Sequence, residues 1–213
     1  MPDKVVGAQV ILDGYGTGPL RVDRSGAQVI QTAHGMYYEA VKRGRVFIGS
    51  NLVTGLAIPI FSAKANALTL WNPAGNNYDL VLIATILAHH STTGLMGCVC
   101  YGWVSPAGSG IATAAPFPTA TFVAPVNAYI GFGASSTALF SPAVNTTTAN
   151  PGHLMPFCSV LPVTSAQTIQ PYQLVDYVDG RIVVPPGSAI QLVGSTAVAI
   201  VAQQSFIWEE VPI

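Results

Sequence analysis

Between Ala65 and Val175 the chain carries a single charged residue, Asp79. A free domain keeps itself soluble with mixed surface charge, and neutral surfaces tend to associate. A neutral stretch this long therefore points to surface that meets other protein, in line with the apolar character of obligate interfaces. The competing reading is a solvated surface of Ser, Thr, Asn and Gln, which the chain also supplies. Charged residues make up 8% of the whole, where about 25% is usual. Apolar residues make up 50%, so a sizeable core can form within 213 residues.

The scarce charge is unevenly placed. Ten of the seventeen charged residues fall in the first 45 positions, from Asp3 to Arg45. The same region holds the turn-rich run Asp13-Gly-Tyr-Gly-Thr-Gly-Pro19, which breaks the chain into short extended pieces. Residues 1–51 are therefore expected to form an extended N-terminal arm with short strands at Leu20–Asp23, Gln28–Thr32 and Arg45–Ile48. The piece Met36–Lys42 fits either a strand or one helical turn. The basic cluster Lys42, Arg43 and Arg45 is the arm's candidate contact to an acidic patch or phosphate, against a solvated turn as the bland reading.

From residue 52 onward the pattern is β throughout, and no amphipathic helix of about ten residues is found. Strands are expected at Ala67–Trp71, Tyr78–His89, Leu95–Val104, Ala120–Ala124, Ala128–Phe132, Phe157–Val163, Tyr172–Tyr177, Arg181–Val184, Ala189–Val193 and Ala197–Val211. Tyr78–His89 is rich in Leu, Ile and Val and reads as a central strand. It is expected to form a hairpin with Leu95–Val104 across Ser91–Gly94. Ser105–Pro118 and Ala134–Gly152 read as long loops. Short strands spaced by turn signals predict an all-β fold, an antiparallel β-sandwich over 52–213, with a jelly roll as the choice among sandwiches and barrels.

Sites for chemistry are sparse in the sequence. There is no Gly-x-Ser-x-Gly nucleophile elbow, and Gly14-x-Gly16-x-Gly18 runs into Pro19 rather than a helix. His89 and His90 are adjacent on a strand and point to opposite faces. Cys98 and Cys100 share one strand face, read as buried thiols; pairing of Cys158 with one of them is the lesser alternative. Glu209 and Glu210 face opposite ways. Asp179-Gly180 reads as a hairpin turn, with Arg181 pairing a neighbouring Asp. No catalytic residue, cofactor or metal site is expected. The longest apolar run, Leu80–Ala88, is far short of the roughly 20 residues of a spanning helix, and Met1–Val6 has no apolar signal core. Net charge is −1, which gives no sign of bulk nucleic-acid binding. The chain is therefore expected to engage neither membrane nor nucleic acid.

Three segments carry a resemblance. They are His34-Gly-Met-Tyr-Tyr-Glu-Ala-Val-Lys-Arg-Gly-Arg-Val-Phe47, Leu68-Thr-Leu-Trp-Asn-Pro-Ala-Gly-Asn-Asn-Tyr-Asp-Leu-Val-Leu82, and the stretch from Arg181 through Pro185-Pro-Gly187 to Pro212. Together they resemble the virion-associated jelly-roll structural proteins of tailed bacteriophages, such as head decoration or cement proteins, the last stretch resembling their C-terminal hairpin. The resemblance implies a non-enzymatic virion component assembled in the host cytoplasm. It would form a homotrimer and bind the major capsid protein or another virion protein. The alternative it leaves open is a tail, baseplate or fibre protein that binds a receptor glycan, with Trp71, Tyr78, Trp103 and Tyr129 as stacking candidates. A small icosahedral coat protein is disfavoured, because its arm would be strongly basic and this one is nearly balanced.

Overall fold

The computed structural model describes residues 9–11, 17–19, 35–51, 55–60, 66–91, 98–104, 123–145, 152–159, 173–194 and 198–213. The chain divides into two compact units, Met1–Glu39 and Ala40–Ile213. In the first, β1 (Gln9–Ile11) and β2 (Thr17–Pro19) form an antiparallel pair. The strands expected at Leu20–Asp23 and Gln28–Thr32 lie outside the described residues. A short helix, α1 (Tyr38–Lys42), occupies the segment read as strand or helical turn.

The second unit is an all-β sandwich. Its strands are β3 (Val46–Ser50), β4 (Leu56–Ile58), β5 (Asn66–Trp71), β6 (Tyr78–Ser91), β7 (Cys98–Val104), β8 (Val126–Asn127), β9 (Leu139–Asn145), β10 (Gly152–Ser159), β11 (Gln173–Tyr177), β12 (Val183–Val184), β13 (Ala189–Gly194) and β14 (Val198–Pro212). One sheet has the order β10-β7-β13-β5-β9; the other has β11-β6-β14-β3-β8, with β12 beside β6 and β4 beside β14. Each named ladder is antiparallel.

Alternation along β14 sets the layers. Ala202, Phe206 and Trp208 turn inward and are buried, while Gln203, Ser205 and Ile207 lie on the outer face. Alternation along β6, shifted by one residue at the irregularity at Ile83, places Leu80, Leu82 and Leu87 inside, with Leu68 and Leu70 of β5, Val99 and Tyr101 of β7, and Ile190 and Leu192 of β13 facing them from the other sheet. Trp208 joins the layers. Its ring stacks on Phe47 of its own sheet (centroids 6.2 Å) and on Phe140 of the opposite sheet (6.2 Å). Gly49 makes room for Phe140, since a Cβ there would lie 2.6 Å from the ring.

Four local expectations are corrected. β6 and β7 do not form a hairpin: β14 flanks β6 on one side and β11 and β12 flank it on the other, and β7 lies in the opposite sheet between β10 and β13. The Pro185-Pro186-Gly187 turn likewise carries the chain from β12 in one sheet to β13 in the other, so no C-terminal hairpin forms there. Ala128–Phe132 is a turn, with Phe132 N–H donating to the Tyr129 carbonyl and Gly131 at φ 87°. Finally, β9 lies within the region read as a loop. Its Ser141, Pro142 and Asn145 interrupt any period-two signal, and pairing with β5 fixes it instead.

The Asp179-Gly180 turn forms, but not as a hairpin. Both residues have positive φ (48° and 79°), and Arg181 N–H donates to the Val178 carbonyl. The strands on either side, β11 and β12, both continue along β6 in the same direction. The turn is a loop extruded from one interrupted edge strand, opposite the irregularity at Ile83, whose carbonyl accepts from Asp179 N–H.

Trp208→Ala is expected to cost about 3–5 kcal/mol, read as a lower denaturation midpoint. Trp208→Phe should cost clearly less, because it keeps ring stacking and removes an indole N–H that has no acceptor among the described residues.

Candidate functional site

The basic cluster sits where α1 hands over to β3. Arg45 N–H donates to the Ala40 carbonyl and Gly44 N–H to Val41, the paired bonds of a Schellman C-cap. Gly44 supplies the left-handed residue that this cap needs (φ 68°). A side chain there would also collide with the ring of Phe132. The cap thus sets the directions of the three cations. Lys42 Nζ stands 4.8 Å above the Tyr129 ring and donates to its hydroxyl at 3.3 Å. Arg43 is exposed at the helix end. Arg45 turns to β14 and pairs with Glu209 at 3.2 Å. The sequence groups these cations as one patch; the fold gives them different neighbours.

The segment after β8 completes this corner. Asn127 donates to the Gly44 carbonyl (2.7 Å) and accepts from Tyr129 N–H (2.8 Å). Tyr129 stacks on Phe132 with centroids 5.6 Å apart. The resulting tip presents Tyr129, Ile130 and Phe132 to solvent. Of the other aromatic candidates, Trp71 is buried, Tyr78 is half-buried and Trp103 is exposed.

Further along, the segment is anchored by a buried acid. Glu210 accepts from the Ser136 hydroxyl (2.6 Å), Thr137 N–H (2.9 Å) and the Thr137 hydroxyl (3.0 Å). Burying a carboxylate is costly unless its lone pairs are satisfied, and these donors satisfy them. A cleft of about 320 Å³ opens beside this anchor, lined by Val123, Pro125, Ala134, Ser136 and Leu139 among others. Its lining has no acid, imidazole or thiol, and the Ser136 hydroxyl already serves Glu210. Neighbouring glutamates therefore do different work: Glu209 faces out to Arg45 and Glu210 faces in.

A third ionic cluster ties the two sheets. The hydroxyl of Tyr101, on β7, donates to Asp176 Oδ2 on β11 at 2.8 Å. Arg181 Nη2 meets Asp176 Oδ1 at 3.4 Å and donates to the Tyr177 carbonyl at 2.8 Å, while Nε donates to Val178. Burial, then the Asp176 carboxylate, pushes the Tyr101 phenol above its ordinary value, and the Thr85 hydroxyl and Arg181 oppose this. Asp176 and Asp179 are thus parts of a tie and a turn.

Cys98 and Cys100 share one face of β7, with sulfurs 3.6 Å apart, and neither is joined in a disulfide. Burial, with the neighbouring Cys98, pushes Cys100 up to about 12, which favours an unreactive thiol. β10 aligns Cys158 with Val99; the Cys158 side chain lies outside the described part. The same holds for the side chains of His89, His90 and His153, and His34 lies outside the described residues. Among the described residues no group of three or more His, Cys, Asp or Glu could hold a metal ion, and no helix is long and apolar enough to cross a membrane.

Two outcomes are expected. Gly44→Ala should destabilise by more than Gly75→Ala: both glycines have positive φ, but a Cβ at Gly75 meets nothing within 4 Å. The Gly75 change then isolates the backbone cost, about 1–2 kcal/mol, and urea denaturation compares them. Tyr101 makes stability fall in alkali. Its raised phenol contributes stability that is whole below the unfolded value of about 10 and is lost as pH rises toward the higher folded value. Tyr101→Phe should flatten that alkaline loss while costing about 1 kcal/mol at pH 7, as equilibrium unfolding across pH will show.

Comparison with protein-family profiles, with curated proteins and with solved structures finds no match to this chain.

Proposed function

We propose that the chain is a non-enzymatic virion structural protein: a decoration or cement protein that binds the major capsid protein and stabilises a phage head, as a homotrimer. One observation carries this reading. Of the ten charged residues of the second unit, five are engaged in ties within it: Glu210 with Ser136 and Thr137, Asp176 with Tyr101 and Arg181, and Arg45 with Glu209. Few charges remain for the outward surface of a unit this large, as suits surfaces that meet other protein.

The finer fold reading, a jelly roll, is supported by strand order. In that fold eight strands, taken in chain order, give one sheet ordered first-eighth-third-sixth and a second ordered second-seventh-fourth-fifth. Taking β3, β5, β6, β7, β10, β11, β13 and β14 as the eight yields β3-β14-β6-β11 and β5-β13-β7-β10, both of which occur. β8 and β9 extend the two sheets beyond this set.

In this reading the part of residues 1–51 that precedes β3 acts as an arm toward a neighbouring subunit, with Lys42, Arg43 and Arg45 at its base, while Val46–Ser50 belongs to the sandwich. Arg43 is exposed at the helix end, beside Lys42, which leans on Tyr129, and Arg45, which pairs with Glu209. The second reading, a tail or fibre protein that binds glycan, is favoured by the exposed Tyr129–Phe132 stack and by Trp103.

Immunogold labelling of intact virions with an antibody to this chain separates the readings. Label on the head is expected; label confined to the tail would support glycan binding. Absence from particles in which other structural proteins are labelled would overturn both.

A further inference from the structure

The two sheets differ in their outer faces. On the five-stranded sheet, Thr69, Trp71, Ala189, Gln191 and Val193 alternate with the core residues and are themselves buried. Gln191 donates to Thr69 there at 2.7 Å, and Trp71, Ala189 and Leu139 form a second small apolar cluster. That sheet is shielded on both sides. The seven-stranded sheet is not. Its outer face exposes Tyr177 (66%), Val175 (39%) and Val183 (47%) on the interrupted edge strand and Val126 (65%) at the far edge. Ile207 and Ile48, paired with one another, lie between them half-buried.

We infer that this outer face, centred on Ile207 and running from Tyr177 to Val126, mates with a second copy of the chain. The inference rests on the self-assembly in the reading above and departs from its trimer: a face that meets its own kind pairs copies two-fold, whereas a closed trimer needs two different faces. Size is the first argument. At about 4.8 Å per strand and about 3.3 Å per residue, the roughly thirty residues of β11, β12, β6, β14, β3 and β8 in this layer give on the order of 500 Å² of flat area. That is more than half of the roughly 800 Å² that each partner of a stable interface contributes, before side-chain relief is counted.

Shape and charge then favour a copy over a foreign partner. Twisted sheets of the same hand pack face to face at about −30°, so a second copy presents a matching surface. A copy also brings its charges to its own kind, which penalises any net charge at the centre. The centre has none: the row Tyr177, Ala84, Ile207, Ile48 is uncharged, and Ser50 and Ser205 satisfy one another at 2.6 Å. Glu209 is already paired to Arg45, and Asp79 lies at the end of the sheet beside Val211.

The test measures native mass by sedimentation velocity for the full chain, the double variant Tyr177→Lys/Val183→Lys, and Ile130→Lys. Tyr177, Val183 and Ile130 are exposed, so the folded unit should tolerate all three changes; equal thermal unfolding confirms it. The expected result is an oligomeric parent, an oligomeric Ile130→Lys variant, and a double variant whose association is weakened at least tenfold. An oligomeric double variant overturns the assignment of this face while leaving self-assembly standing. A monomeric parent at about 100 μM, well above the Kd of a stable interface, overturns both. Hydrogen exchange on such a monomer would still be informative. If β6 and β14 amides lose protection on removing residues 1–39, the face belongs to the chain's own N-terminal segment and the copy is excluded.

Discussion

The sandwich depends on the ladder between β14 and β6. From Ser91 opposite Val201 to Tyr78 opposite Pro212, two long strands run side by side. Their alternation decides which residues form the core. A slip of one residue would put Trp208 and Phe206 in solvent and drive Glu209 inside. Two irregularities, after Val201 and after Ile207, each give β6 one extra residue; the one at Ile83 shifts the inward phase of β6 from Leu80 and Leu82 to Leu87, while β14 keeps its own. Because β14 also pairs with β3 and β4, the register it sets passes to the rest of the sheet. Gln204, on its inward face, donates from Nε2 to the Leu56 carbonyl and from its backbone N–H to Asn51 Oδ1, while its Oε1 has no partner among the described residues.

Much of the strand content could be read from residues alone, because it rests on local chemistry. Tyr78–His89, dense in Leu, Ile and Val, is the central strand β6, and Ala67–Trp71 falls within β5. Partnership was not legible. Turn residues such as Pro185-Pro186-Gly187 show where the chain reverses but not whether it stays in one sheet. In this fold, successive strands often lie in opposite layers. β9 escaped notice for a different reason: Leu139–Asn145 is held by pairing to β5 and by Phe140 under Trp208, and neither leaves a period in the sequence.

The candidate surface was legible to a smaller degree. The cluster Lys42, Arg43 and Arg45 is visible as a run of cations, but what each does is set by residues far along the chain, Tyr129 for Lys42 and Glu209 for Arg45. Opposite orientation of Glu209 and Glu210 follows from strand geometry. That the inward one would be met by Ser136 and Thr137 does not, since those residues read as ordinary loop composition. Charge scarcity has a common cause with this. A chain with few ionic groups to place uses them where a bond to a neutral donor or a single counter-ion holds two distant segments together.

The placement of β14 has a further consequence, for the order of events in folding. Gln204 and Asn51 are 153 residues apart in sequence, and the strands that flank β14 are likewise remote. Little of the larger sheet can form from neighbours along the chain, so loop-closure entropy must be met before its contacts repay it. Folding of such a topology is slow, in the range of milliseconds to seconds. During that interval the unpaired edges of β6 and β3 are open to other chains. With so little charge to repel them, nascent copies at high concentration meet under conditions that favour strand exchange. A cell making this chain in quantity must therefore complete β14 pairing quickly, or keep the copies apart until it is complete.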